Sequence, residues 1–231
     1  MALYVLSDTH LSLSTNKSMT VFRGWDDYVE RLEKHWRALV EPQDTVVIAG
    51  DVSWAMSLEE TAEDFAFLHA LPGRKLLFQG NHDYWWCTRR KMDAFLEQNG
   101  FTSLTFVHND AVTVDDRFAV CGSRGWFYDD DEPDNAKILN REAGRLRMSL
   151  EAAVKTGLEP IVFLHYPPLF DGRECEELLS VIREFPVRRC YYGHVHGAGI
   201  RQAFQGEWNG IDFRLTSCDA LSFCPLRISA E

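Results

Sequence analysis

The sequence predicts a mixed α/β fold built on two sheets. Three observations lead there. Short β-type runs alternate with helical patterns through the first half, which argues for βαβ units and a parallel sheet. Residues 101–126 change character and read as two or three short strands with turns at Asn109-Asp110 and Asp115-Asp116. The tail is again β-rich, with Asn209-Gly210 between two β-type runs, the strongest short hairpin signal.

Each element has its own warrant. Leu3–Leu6 is the first apolar run. Trp25, Val29, Leu32, Trp36 and Leu39 follow at spacings of four and three, one face of a helix over residues 25–40. Thr45–Ala49 is the second β-type run. Ser57 then opens a helix with Glu60 three residues on, a capping box, and Leu58, Ala62, Phe65 and Leu68 share its face. Leu71-Pro72-Gly73 stops it. Lys75–Phe78 is the third strand. Leu139, Ala143, Leu146, Leu150 and Val154 mark another helix, closed by Gly157, and Pro160–Leu164 and Arg189–Tyr192 are further strands. There is no internal repeat and no linker, so residues 1–231 are expected to form a single domain. The stretch Leu11–Gly24 is long, polar and patternless, which in a compact domain points to a functional loop.

Charge narrows the function. Asp and Glu number 35 against 24 Lys and Arg, a net charge of −11, so no nucleic-acid partner is expected. No apolar run approaches the ~20 residues of a membrane span. Met1 to Asp8 has neither the basic start nor the apolar core of a leader, and a cytoplasmic setting is expected. None of the six cysteines forms a C-x-x-C pair, so they read as free, mostly buried thiols.

The chemistry lies in what ends each strand. Leu3–Leu6 runs into Ser7-Asp8-Thr9-His10, and Thr45–Ala49 into Gly50-Asp51. Lys75–Gln79 runs into Gly80-Asn81-His82-Asp83, Pro160–Leu164 into His165, and Arg189–Tyr192 into Gly193-His194-Val195-His196. Open α/β sheets bind ligands outside the carboxyl ends of their strands. A lone strand-end Asp is more often a cap or turn residue. Five successive strand ends, carrying five of the eight histidines, are not explained that way. Imidazole, carboxylate and amide donors without thiolate suit Mn, Fe, Zn or similar divalent ions. Asp-x-His and His-x-His each put two donors on one side of an extended segment. The donors are too many for one ion, so two ions sharing a carboxylate is the economical reading.

The ordered set D-x-H, G-D, G-N-H-D, H and G-H-x-H resembles the binuclear metallophosphoesterases, also called calcineurin-like phosphoesterases, and among them uncharacterised bacterial phosphohydrolases. The likeness runs from Asp8 to His196. It implies a β-sandwich with helices outside both sheets, in αββα layers. It also implies two divalent ions per chain, Mn²⁺ foremost, with Fe, Zn, Ni or Co as alternatives. Asp8, His10, Asp51 and His196 are similar to the ligands of one ion. Asp51, Asn81, His165 and His194 are similar to those of the other, with Asp51 as bridge. His82 resembles the family's catalytic histidine, and Asp83 is expected to hydrogen-bond its far ring nitrogen. The implied reaction is in-line attack of a metal-bridging hydroxide on a phosphoester, with His82 assisting the leaving group.

Substrate choice is less marked. Lys17, Arg23 and Arg124 are candidate phosphate partners, each set against an ordinary solvated charge. Trp25, Trp54, Tyr84, Trp85, Trp86 and Trp126 would stack on a ring or simply cover the core. Asp129–Glu132 with Asp134 reads as a solvated acidic loop, and His35, His69 and His108 as structural. Loops 11–24 and 123–135 are expected to hold specificity. The expected partner is a small phosphodiester or phosphomonoester. A non-catalytic scaffold, a protein phosphatase or a nuclease of the same superfamily are the alternatives.

Overall fold

The computed structural model describes residues 1–15, 17–127 and 134–228. Its strands are β1 (Leu3–Leu6), β2 (Thr45–Ile48), β3 (Arg74–Leu77), β4 (Leu104–Phe106), β5 (Ala111–Val114), β6 (Phe118–Ser123) and β7 (Glu159–Leu164). They continue as β8 (Leu169–Phe170), β9 (Arg173–Glu174), β10 (Arg189–Tyr192), β11 (Gly206–Trp208), β12 (Ile211–Leu215) and β13 (Leu226–Ile228). The helices are α1 (Tyr28–Leu39), α2 (Ala62–Ala70), α3 (Arg89–Asn99), α4 (Asn135–Val154) and α5 (Glu176–Arg183).

Two large mixed sheets result. One has the order β13-β1-β2-β3-β4, the other β11-β12-β10-β7-β6-β5. Strands β1 to β4 run parallel, as do β6, β7, β10 and β12, while β13, β5 and β11 are antiparallel edges. The layering follows from the two-residue period of strands, because the central strands are apolar on both faces. Leu3, Val5, Val47, Leu76, Val120, Ile161, Phe163 and Tyr191 meet between the sheets. Tyr4, Leu6, Val46 and Ile48 belong to a second cluster with Leu32 and Trp36 of α1, Phe65 of α2 and Met92 of α3. Ala119, Cys121, Val162, Leu164 and Tyr192 belong to a third, with Leu146 and Leu150 of α4 and Leu178 and Ile182 of α5. The order is helix, sheet, sheet, helix, as the motif resemblance implies.

Local departures have local causes. Helix α1 starts at Tyr28, after Asp27 in a left-handed conformation (φ 50), so Trp25 lies outside it. The Ser57 start is a 3-10 turn, Glu59–Thr61, before α2 begins. Glu60 does reach back, but to the backbone N–H of Met56 at 2.8 Å. The Asn209-Gly210 hairpin forms as expected, with both residues at positive φ (50 and 79), between β11 and β12. Cys121, Cys175, Cys190 and Cys218 are buried, and all six cysteines are free. The acidic run Asp129–Glu132 lies outside the described residues.

Phe163 sits at the centre of the inter-sheet layer, stacked on Tyr191 (5.5 Å, 18°) and 5.8 Å from Phe78. Replacing it with Ala opens a cavity that both sheets frame. Phe163→Ala is expected to cost about 3–5 kcal/mol, read as a lowered midpoint in urea unfolding.

Candidate metal centre and active site

The two sheets meet at the carboxyl ends of their strands. Ser7, after β1, bridges to Ser217, after β12, and its N–H donates to the Thr216 carbonyl at 2.8 Å. The loops that follow β1, β2, β3, β7 and β10 therefore converge at one seam. Asp8 (φ 60), His10 (φ 44), Asp51 (φ 51) and His194 (φ 71) are all left-handed there. Non-glycine residues rarely adopt that conformation, and such strain clusters at functional sites. Gly80 permits a close crossing, since a Cβ there would overlap the Asp51 carboxylate and backbone nitrogen.

The motif side chains are brought together. Asp8, His10 and His196 present donor atoms within 4.8 Å of one another, and so do Asp8, Asp51 and His165. His196 Nε2 lies 3.2 Å from Asp8 Oδ1. Asp51 Oδ2 stands between two groups, 3.7 Å from His10 Nε2 and 3.4 Å from His165 Nε2. Asn81 Oδ1 lies 2.7 Å from His165 Nε2 and 2.9 Å from His194 Nδ1.

Burial sets the charge states. It pushes His10 and His194 down to about 3, with neighbouring imidazoles adding to the shift, and it lowers His165 and His82 as well. These rings are neutral and offer lone pairs. Burial and the charge of Asp8 push Asp51 well above the usual carboxylate range. Burial opposes the charge of Asp8 too, but His196 overcomes it and holds that carboxyl low. Burial would also lower His196, yet Asp8 and Asp219 raise it to about 10.

These residues fit divalent cations. His165 Nδ1 faces the Ala49 carbonyl at 3.2 Å while Nε2 faces Asn81 Oδ1 at 2.7 Å. A neutral imidazole has one N–H, so with the amide in this orientation one of those contacts sets lone pair against lone pair. A cation among Asn81, His165 and His194 relieves that contact. The buried carboxylates Asp8 and Asp51 ask for positive charge in the same place.

Asp83 differs from expectation. It does not bond His82. Its carboxylate instead accepts backbone N–H groups from Gly80 (2.7 Å), Val52 (2.8 Å), Asp51 (2.9 Å) and Ser53 (3.3 Å). It thus ties the loop after β3 to the loop after β2. His82 has its Nδ1 3.5 Å from the Tyr84 hydroxyl, and its ring centroid is 4.4 Å from Trp54.

The remaining candidates divide. Lys17 places Nζ 4.9 Å from the Trp54 ring and 5.9 Å from Tyr84, on the His82 side. Arg23 lines the cavity that His10 and His82 also line. Arg124 turns elsewhere, with Nη2 3.8 Å from the fully buried Glu142 and its guanidinium 5.1 Å from Trp126. Its carbonyl accepts the N–H of His165 and of Tyr166. Trp25 and Trp54 flank His10, whereas Trp85 and Trp86 pack on Phe106. His35 Nδ1 faces the Phe223 carbonyl at 3.2 Å and His69 Nδ1 the Ser103 hydroxyl at 2.8 Å, away from the cluster. Sequence reasoning missed Asp219, whose Oδ1 lies 2.9 Å from His196 Nδ1 and whose Oδ2 accepts the Gly197 N–H at 2.9 Å. It stands in the tail, where no motif announces it.

A two-sheet α/β/β/α fold with Asp, Asn and His side chains gathered at the sheet junction defines a metallophosphoesterase. The chain belongs to the calcineurin-like phosphoesterase family, whose family model matches residues 1–198, and it is a phosphoric ester hydrolase with metal-binding residues. It is 30% identical over 218 residues to the glycerophosphodiester phosphodiesterase GpdQ of Enterobacter lignolyticus, covering 87% of this chain and 73% of that protein. Two solved structures share its fold. A protein of unknown function from Aquifex aeolicus matches with a TM-score of 0.52 at 16% identity, over 98% of this chain and 95% of the other. Phosphopantetheinyl hydrolase of Mycobacterium tuberculosis matches with a TM-score of 0.55 at 14% identity, over 100% and 96%. Among the described residues no helix is long and apolar enough to cross a membrane.

Asp83→Asn tests the loop clamp. An amide keeps one acceptor and turns an NH₂ toward N–H donors. The substitution is expected to destabilise the metal-free protein by about 1–3 kcal/mol in urea unfolding.

Proposed function

We propose that the protein hydrolyses small-molecule phosphodiesters with two divalent ions, Mn²⁺ foremost, in a cytoplasmic setting. Asp8, His10, Asp51 and His196 hold one ion, and Asp51, Asn81, His165 and His194 the other. The observation that carries this is the position of the Asp51 carboxylate, between His10 and His165. The diester preference is supported by the 30% identity to a glycerophosphodiester phosphodiesterase. The cytoplasmic setting is supported by six free thiols.

Divalent ions held there supply Lewis-acid charge to the phosphate oxygens and acidify water. The chain's own groups do the rest. The Ala49 carbonyl and Asp219 each engage the Nδ1 of a histidine, His165 and His196, and direct Nε2 inward. His82, through the ring nitrogen not turned to Tyr84, directs an N–H hydrogen bond at the departing oxygen and stabilises its developing charge. Lys17 and Arg23 draw the anion toward His82, and Arg124, held by Glu142, backs the loop that carries His165. Asp83 is a positioning residue.

The test is the rate on bis(p-nitrophenyl) phosphate against p-nitrophenyl phosphate with Mn²⁺ present. The diester is expected to be the faster substrate, and chelation should abolish both rates. A faster monoester would overturn the diester assignment. His82→Ala is expected to lower kcat by roughly 10²–10⁴-fold with metal content unchanged, whereas Asp51→Asn should lose metal and activity together. The pH dependence has a definite sign. His196, raised to about 10, is protonated at neutral pH without metal. Nε2 must lose that proton to coordinate, so apparent metal affinity should strengthen as pH rises toward 10. Calorimetry in buffers of different ionisation enthalpy would register the released proton.

A further inference from the structure

A cavity of about 360 Å³ opens beside the metal-ligand cluster, within the ~300–1,000 Å³ range of small-ligand pockets. Met19, Phe22, Trp25 and Trp54 line it together with His82 and His196. Its aromatic walls are held in place. Trp54 stacks on His10 (4.9 Å, 19°), and its Nε1 lies 3.3 Å from Met19 Sδ. Trp25 is braced edge-on by Phe223 (5.0 Å, 82°) and by Tyr28 (5.4 Å, 62°). Phe22 is 55% exposed, and the adjacent Val21 is 78% exposed. Phe22 thus offers an exposed ring at a cavity that Trp25 and Trp54 help to line, and a flat ring entering there stacks on Phe22.

We propose that this cavity binds an aromatic ring carried by the leaving alcohol of the phosphoester. The inference rests on the proposed diester hydrolysis, which puts His82 at the leaving oxygen. Since His82 also lines the cavity, the group bonded to that oxygen enters it. Glycerol is too small and polar to cover these walls. The chain therefore prefers a ring-bearing ester over the glycerol ester class in its relative's name.

The experiment compares methyl 2-phenylethyl, methyl 2-cyclohexylethyl and methyl propyl phosphate with the Mn²⁺-loaded protein, following release of the larger alcohol. These alcohols differ little in acidity, so the rates report the cavity. The expected kcat/KM for the phenylethyl ester is at least tenfold above the propyl ester and several-fold above the cyclohexylethyl ester. Phe22→Ala should bring the phenylethyl-to-propyl ratio toward one. In parallel, calorimetry compares 2-phenylethylphosphonate with propylphosphonate, which are not hydrolysed. The aromatic phosphonate should bind at least tenfold more tightly. Equal phosphonate affinities overturn the subsite, and equal rates for the phenyl and cyclohexyl esters overturn its selectivity for a flat ring. Failure to cleave any of the three esters overturns the diester reading instead, and the phosphonate pair still decides the subsite.

Discussion

Two carboxylates, Asp8 and Asp51, are buried at the junction of the two sheets, and the structure around them is organised by the cost of keeping charge there. Each is nearly inaccessible to water. An isolated carboxylate in such a place would take up a proton or seek a partner. Asp8 has a partner in His196, whose second nitrogen is held by Asp219. Asp51 has neutral imidazoles at His10 and His165, and burial together with the Asp8 charge pushes its carboxyl up. The same burial that keeps the imidazoles neutral makes them ligands. One desolvation thus creates both the demand for cations and the donors that meet it. Cations placed there would reverse the local sign within a chain of net charge −11.

The strand-end cluster was legible in the sequence because strand and motif coincide. Each apolar run ends a few residues before a group that reaches the junction, so the linear order of Asp8, Asp51, Asn81, His165 and His194 maps onto neighbouring strand ends. What could not be read was the partner of each residue. Asp83 adjoins His82 in the chain, yet its carboxylate turns back to four backbone N–H groups of the loops after β2 and β3. Sequence adjacency says nothing about that direction. Asp219 lies 23 residues from His196 and carries no spacing signal, so only the fold reveals it.

The elements show the same division. Helix α1 and the β11–β12 hairpin were legible because apolar spacing and turn chemistry are local. Helix α3 was not, because its charges Arg89, Arg90, Lys91 and Asp93 dilute the apolar pattern carried by Met92 and Leu96. Helix α5 has only eight residues, too few for periodicity to stand out. Trp25 fits the helical spacing of Val29 and Leu32 but falls before the helix begins, since Asp27 breaks the chain direction. That break frees the indole to stand between His10 and Phe223.

The tail shows why motif and machinery are not coextensive. The family model ends at residue 198, but the segment beyond it supplies what the motif residues lean on. Strand β13 pairs with β1 and β12 with β10, so neither motif-bearing strand is a free edge. Thr216 and Ser217 hold Ser7, one residue before Asp8. Asp219 orients His196, and Phe223 braces Trp25. Donor atoms make a metal centre only when held at fixed angles, and fixed angles come from partners of this kind. Members of one family can therefore keep the same strand-end ligands while the tail alters how stiffly they are held. Here Asp219 also lines the cavity and Phe223 packs against Trp25 beside it, so one short segment braces both the strand-end cluster and the cavity.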